Sequence, residues 1–129
     1  MPHAITDTLK IALAQLNSVV GDLAGNAAKL RKARAEAAAL GADLVVLSEL
    51  FITGYPPEDL VRKPAFAAAA RKTVEAIAAE TADGGPGVIV GTIWAEDGKL
   101  YNAVALLDGG RVEGVRFKVD LPNYGVFDE

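Results

Sequence analysis

The chain has 129 residues, 51% of them hydrophobic, a formal charge of −4 and no cysteine. That length and apolar content suit the core of one ordinary domain and exclude a disordered chain. The acidic balance without a basic patch speaks against a nucleic-acid partner, and the missing thiols exclude disulfides and thiolate metal sites within this stretch.

No apolar run is long enough to span a membrane, so no membrane partner is expected. Met-Pro-His-Ala leads straight into strand-like sequence, an opening unlike a signal peptide, and a cytoplasmic location is expected. His3 lies in this opening and carries no metal or catalytic expectation. Leu9 to Leu16 is an apolar run of strand length, followed by a Val19–Asp22 loop. Asn26 stands where the N-cap of a helix to about Leu40 belongs. Leu30, Ala33, Ala37 and Leu40 are its apolar stripe and Gly41 its stop. The chain's 24 alanines crowd into this segment and into 65–82. Alanine favours helix but fills little core, so both stretches read as helices lying on something more substantial. Lys29, Arg31, Lys32 and Arg34 recur at helical spacing and read as a solvated face.

Asp43 to Leu47 is a second strand. Its continuous apolarity predicts cover on both faces, and strand–helix–strand order makes a βαβ-like unit with a right-handed crossover if the strands are parallel. Gly54 and the Pro56-Pro57 pair make Phe51 to Leu60 a loop. Glu58 and Asp59 read as loop-capping or helix-start acids. A second helix starts at Pro64 and runs to about Thr81, with Phe66, Ala70, Val74 and Ile77 facing inward. Val88 to Trp94, Leu100 to Leu107 and Arg111 to Lys118 are three further strands. They are joined by Glu96-Asp97-Gly98-Lys99 and Asp108-Gly109-Gly110 turns. Two βα units followed by a meander predict an α/β domain with a mixed sheet. Trp94 and Asn102 read as packing and backbone-satisfying residues. From Val119 the sequence is loop-like to Glu129, and the chain reads as a fragment.

In open α/β sheets, functional groups gather at the carboxyl ends of strands. Glu49 and Lys118 both follow strongly apolar strands. Either one alone is most simply a charge resurfacing as its strand leaves the core. Each, however, leads into a loop that combines turn formers with a tyrosine, Gly54-Tyr55-Pro56-Pro57 and Leu121-Pro122-Asn123-Tyr124-Gly125. Composition goes no further: such a pair can be a binding pair, a salt bridge or catalytic machinery.

The string from Leu47 to Leu60, with its Gly-Tyr-Pro-Pro-Glu-Asp-Leu ending, resembles the glutamate motif of the nitrilase (carbon-nitrogen hydrolase) superfamily. Its particular form is similar to glutaminase domains of glutamine-dependent NAD synthetases. Lys118 with Leu121 to Glu129 resembles the lysine motif of the same enzymes. Ile11 to Asn17, with Gly21-Asp22 and Asn26, matches the family's opening strand and helix. The resemblance covers essentially the whole chain.

It implies part of the α-β-β-α sandwich of the nitrilase type, and a Glu–Lys–Cys triad acting on L-glutamine. A thiol is only slightly ionised at neutral pH, so it needs a neighbouring base. Glu49 takes that role and later protonates departing ammonia. Lys118 places positive charge at the oxyanion, and a buried Glu–Lys pair would keep both groups ionised. Tyr55 and Tyr124 are candidates for shaping the glutamine pocket, with loop-bracing aromatic packing as the alternative. Glu129 resembles the extra glutamate that many members place near the lysine. The family's cysteine lies after the lysine motif, beyond this stretch. ATP and Mg²⁺ belong to a synthetase domain that this segment does not include, so no cofactor is expected within it. Family members associate as homo-oligomers, and the expected partner is the rest of the same polypeptide. With helices on one face only, the sheet is expected to leave its other face open. Two alternatives stay open: a stand-alone amidase or nitrilase, and a catalytically silent fragment.

Overall fold

The computed structural model describes residues 8–56 and 58–118. Nine elements follow in chain order: β1 Ile11–Leu13, α1 Leu23–Ala39, β2 Leu44–Val46, α2 Glu58–Val61, α3 Pro64–Glu80, a 3₁₀ turn Thr81–Asp83, β3 Gly87–Glu96, β4 Lys99–Asp108 and β5 Arg111–Phe117. The five strands form one sheet in the order β1-β2-β3-β4-β5. β1, β2 and β3 pair in parallel, whereas β4 runs antiparallel to both β3 and β5. The sheet is therefore mixed, as expected, and β1, β2, β3 and β5 all point the same way.

Local chemistry accounts for most of these boundaries. Asp97 and Gly98 both have positive φ (52° and 77°), as a type I′ hairpin requires, and Gly109-Gly110 makes the second such turn (61° and 87°). α1 ends in a Schellman motif. Gly41 adopts φ 76°, its N–H donates to the Ala38 carbonyl, and the Ala42 N–H reaches the Ala37 carbonyl. Pro64 occupies the first turn of α3, where its missing N–H costs nothing.

Several expectations need correction. β1 is three residues long rather than eight. Among the described residues it pairs only with β2, through Val46, and one further bond from Ala14 N–H to the Val46 carbonyl ends the pairing. The N-cap of α1 is Asp22, whose carboxylate accepts the Gly25 N–H at 2.9 Å, so the helix starts a turn earlier than Asn26. Asn26 is instead fully buried. Its Oδ1 accepts the Val19 N–H, and its Nδ2 donates to the carbonyls of Val19 and Ile52. An amide offers donor and acceptor together, which lets one side chain tie two loops to the helix. Leu40 sits past the last turn and is 72% exposed, while Ala27 joins Leu30 and Ala37 in the buried stripe. The loop at 51–60 contains one helical turn, α2, beginning at Glu58 and Asp59. The basic cluster on α1 is more than a solvated face. Arg31 pairs with Glu80, Arg34 pairs with Asp83 and donates to the Pro86 carbonyl, and Lys29 donates to the Asn17 carbonyl.

The core lies between the sheet and the two long helices. Leu30 and Ala37 of α1 and Ala70, Val74 and Ile77 of α3 meet Val45, Val88, Val90, Ala103, Ala105 and Leu107, with Phe66 half-buried at the edge. Side chains alternate along strands, so the intervening positions face the other way. Leu44 and Val46 are only half-buried, and Ile11, Leu13, Val104 and Leu106 are exposed. The cover predicted for both faces of β2 is present on one face among the described residues. No helix among them is long and apolar enough to cross a membrane.

Candidate active site

The sheet's directions bring the two singled-out charges together. β2 and β5 both end at the same edge of the sheet. Glu49 lies three residues beyond Val46 and Lys118 directly follows Phe117. Strands lie about 4.8 Å apart, so β2 and β5, with two strands between them, are separated by about 14 Å. A side chain standing upright on β2 could not meet one on β5. The segment after β2 closes the gap by folding over β3.

That fold-over rests on Gly91. A Cβ there would lie 2.3 Å from the Leu50 nitrogen, 2.6 Å from the Ser48 carbonyl oxygen and 2.8 Å from the Glu49 carbonyl carbon. The main chain of 48–50 therefore packs directly on the β3 backbone. The Gly91 carbonyl accepts the Ile52 N–H at 3.1 Å and the Ser48 carbonyl accepts the Phe51 N–H. Leu50 pays for the tight path with φ 52°, an uncommon conformation for a residue with a branched side chain, and is held there by complete burial. The Asn26 amide secures the far end of the same loop through Ile52.

Glu49 then stands at the centre of a small network. Lys118 Nζ donates to one of its carboxylate oxygens and the Tyr55 hydroxyl donates to the other. Lys118 first, then Tyr55, hold the Glu49 carboxyl below its ordinary range, with a smaller contribution from the Asn102 amide, against the opposing effect of partial burial. The pair lines a cavity of about 300 Å³ together with Gly91, Asn102, Arg116 and Phe117. The Phe117 ring stacks on Tyr101 with centroids 4.0 Å apart, which steadies the end of β5. Lys118 N–H bonds to the Asn102 carbonyl at 2.9 Å.

The Lys118 and Glu49 side chains remain 39% and 36% exposed, so the buried pair that the sequence suggested is half-open to solvent among the described residues. Tyr55 is 64% exposed, and its hydroxyl contacts the Glu49 carboxylate. Tyr124 and Glu129 lie outside the described residues. Trp94 is buried and carries Arg71 over its ring, in keeping with a packing role. Asn102 goes beyond that role, because it lines the cavity together with Glu49 and Lys118. Gly91 was also not singled out from the sequence. A lone glycine inside an apolar strand signals close backbone approach, and that signal was available. Among the described residues no group of three or more His, Cys, Asp and Glu could hold a metal ion.

Chemically, the site offers a carboxylate held ionised and a cation in contact with it, both lining a cleft, and a phenol bonded to the carboxylate. A carboxylate so placed can accept a proton, and the ammonium can stabilise developing negative charge.

Residues 10–129 match the carbon-nitrogen hydrolase family. The chain is 45% identical over 121 residues to the glutamine-dependent NAD(+) synthetase of Thermotoga maritima, covering 94% of this chain and 21% of that protein. It is 46% identical over 125 residues to the Rhodobacter capsulatus enzyme of the same name, covering 97% of this chain and 22% of the relative. The chain thus spans about a fifth of the length of these relatives. Among solved structures, a glutamine-dependent NAD(+) synthetase from Cytophaga hutchinsonii superposes with a TM-score of 0.85 at 31% identity, over 95% of this chain and 22% of the other. An amidase from Nesterenkonia superposes with a TM-score of 0.78 at 27% identity, over 93% of this chain and 47% of the amidase. Fold, motifs and near-complete family coverage agree: the chain belongs to the carbon-nitrogen hydrolase family.

Proposed function

We propose that this chain forms part of the glutaminase of a glutamine-dependent NAD synthetase, which hydrolyses the side-chain amide of L-glutamine to supply ammonia. The carrying observation is the contact between Glu49 and Lys118, brought from separate strands to one cavity. The names and identities of the relatives support the choice of glutamine among amides.

The nucleophile in this reading is a cysteine thiol supplied by residues other than these 129, which contain none. In a mutant of the Nesterenkonia amidase, acrylamide has added to an active-site cysteine, which supports that choice. Glu49 accepts the thiol proton as sulfur attacks the amide carbon. The carbonyl oxygen becomes an oxyanion beside Lys118. Glu49 then protonates the amide nitrogen, the C–N bond breaks and ammonia leaves. Water attacks the thioester, giving up a proton to Glu49, and glutamate departs as the thiol is restored. Tyr55 fixes the carboxylate's orientation. Tyr124 as a wall of the glutamine pocket and Glu129 as a second glutamate near the lysine complete the proposed site.

In the same reading, ammonia passes to a synthetase domain of the same polypeptide, which uses ATP and Mg²⁺ to amidate nicotinic acid adenine dinucleotide. The protein acts in the cytoplasm as a homo-oligomer. The test is to assay the full-length polypeptide for ammonia release from glutamine, and for dinucleotide amidation with glutamine, ATP and Mg²⁺. Both activities are expected. Hydrolysis of simple aliphatic amides without either activity would favour a stand-alone amidase, the reading that the Nesterenkonia superposition supports. No amide hydrolysis at all would make the chain catalytically silent.

A further inference from the structure

Asn102 breaks the pattern of its own strand. On the open face of β4, the following positions Val104 and Leu106 are apolar and exposed. Asn102 is polar and only 8% exposed, the reverse of what an unremarkable sheet face shows. Buried amides are retained where they have partners. Here the two ends of the residue address the two members of the site. The main-chain carbonyl accepts the Lys118 N–H at 2.9 Å, and the side chain lines the same cavity as Glu49 and Lys118. Because β4 runs against its neighbours, only its early part reaches the edge where Glu49 and Lys118 stand, and Asn102 lies there opposite Ile93.

We propose that Asn102 is a positioning residue for the reaction, fixing through its carbonyl where Lys118 leaves β5 and aiming the Glu49 carboxylate through its side-chain amide. It needs no contact with substrate. This inference rests on the glutaminase reading, and its test separates the two.

Asn102→Ala keeps the carbonyl and removes only the amide, so it isolates the side-chain role. In the full-length polypeptide, glutamine kcat is expected to fall about tenfold to a hundredfold with KM little changed. The acid limb of kcat/KM, which reports the free enzyme's base, is expected to move to higher pH. Asn102→Asp, nearly equal in volume, is expected to move it further, because a second carboxylate disfavours the charged form of Glu49. Among the described residues, the other groups facing Glu49 are Lys118 and Arg116 from β5 and Tyr55 from its own loop. None of these changes in either variant. Gly114→Ala, where an added Cβ meets nothing within 4 Å, serves as the control and is expected to match wild type.

Folded Ala and Asp variants with wild-type kcat and an unmoved acid limb would overturn the inference. Variants that only unfold at lower temperature would overturn it too, since Asn102 would then be a core residue. If the wild-type polypeptide releases no ammonia from glutamine, the glutaminase reading fails instead.

Discussion

The ionised state that the proposed role of Glu49 as a base requires comes from its neighbours and not from burial, which opposes it. Lys118 and then Tyr55 hold its carboxyl below the ordinary carboxylate range, so it is ionised at neutral pH and remains so into mildly acidic solution. A group whose pKa is lowered on folding contributes stability above its unfolded value. That contribution is lost as pH falls through the folded one. At 36% exposure the contribution is screened, and we expect no more than about 1 kcal/mol from it. The larger consequence is kinetic. Lys118→Met removes both the foremost cause of the lowered Glu49 pKa and the charge proposed to face the oxyanion. Glutamine kcat in the full-length polypeptide is expected to fall on the order of 10²–10³-fold. The acid limb of its pH–rate profile should move upward. A variant whose rate falls while the limb stays put would show that Lys118 does not set Glu49's ionisation.

Among the elements, the turn after β2 and the helix junctions carry most of the positional information. Gly91→Ala sets a methyl group against the main chain of 48–50, which has no flexible side-chain end to yield. An ångström of displacement at Glu49 can cost about a hundredfold in rate. We therefore expect at least that loss in glutamine hydrolysis, larger than for the open-space control Gly114→Ala. Asn26→Ala strips partners from the Val19 N–H and the Val19 and Ile52 carbonyls, and is expected to cost roughly 2–4 kcal/mol, read from the shift of the urea midpoint. Asp83→Asn tests the junction of α1 with the end of α3. Arg34 first and the Gly85 N–H second hold the Asp83 carboxyl far below its usual range. Its stabilisation is present above the ordinary carboxylate pKa and fades in strong acid. Because Asp83 is 56% exposed, the substitution is expected to cost about 1 kcal/mol or less at pH 7.

These elements also mark how far the sequence could be read. The meander was legible because Asp97-Gly98 and Gly109-Gly110 dictate their own turns, and Gly41 announces the end of α1 by a local rule. The start of α1 was not. Asp22 and Asn26 are both competent caps one turn apart, and what separates them is that Asn26 meets Ile52, a contact only the tertiary fold supplies. Glu49 and Lys118 were legible through their flanking loops. Asn102 was not, because a polar residue in an alternating strand ordinarily faces water, and only the loop folded over β3 reverses that.

At the scale of the whole molecule, one face of the sheet is covered by α1 and α3, while the other presents Ile11, Leu13, Val104 and Leu106 to solvent. Apolar area of this kind favours association. On their own, these 129 residues are expected to self-associate as concentration rises, which sedimentation equilibrium would register. A strictly monomeric chain would show that the face is tolerated in water. In the proposed function the Glu49–Lys118 pair serves amide hydrolysis and not the fold alone. This is tested by introducing Glu49→Gln into the full-length polypeptide and comparing dinucleotide amidation driven by glutamine with that driven by free ammonia. Glutamine-driven turnover is expected to fall about 10²–10⁴-fold while ammonia-driven turnover stays at the wild-type rate. Wild-type turnover with glutamine, or an equal loss of both activities, would show that the pair has no specific part in amide hydrolysis.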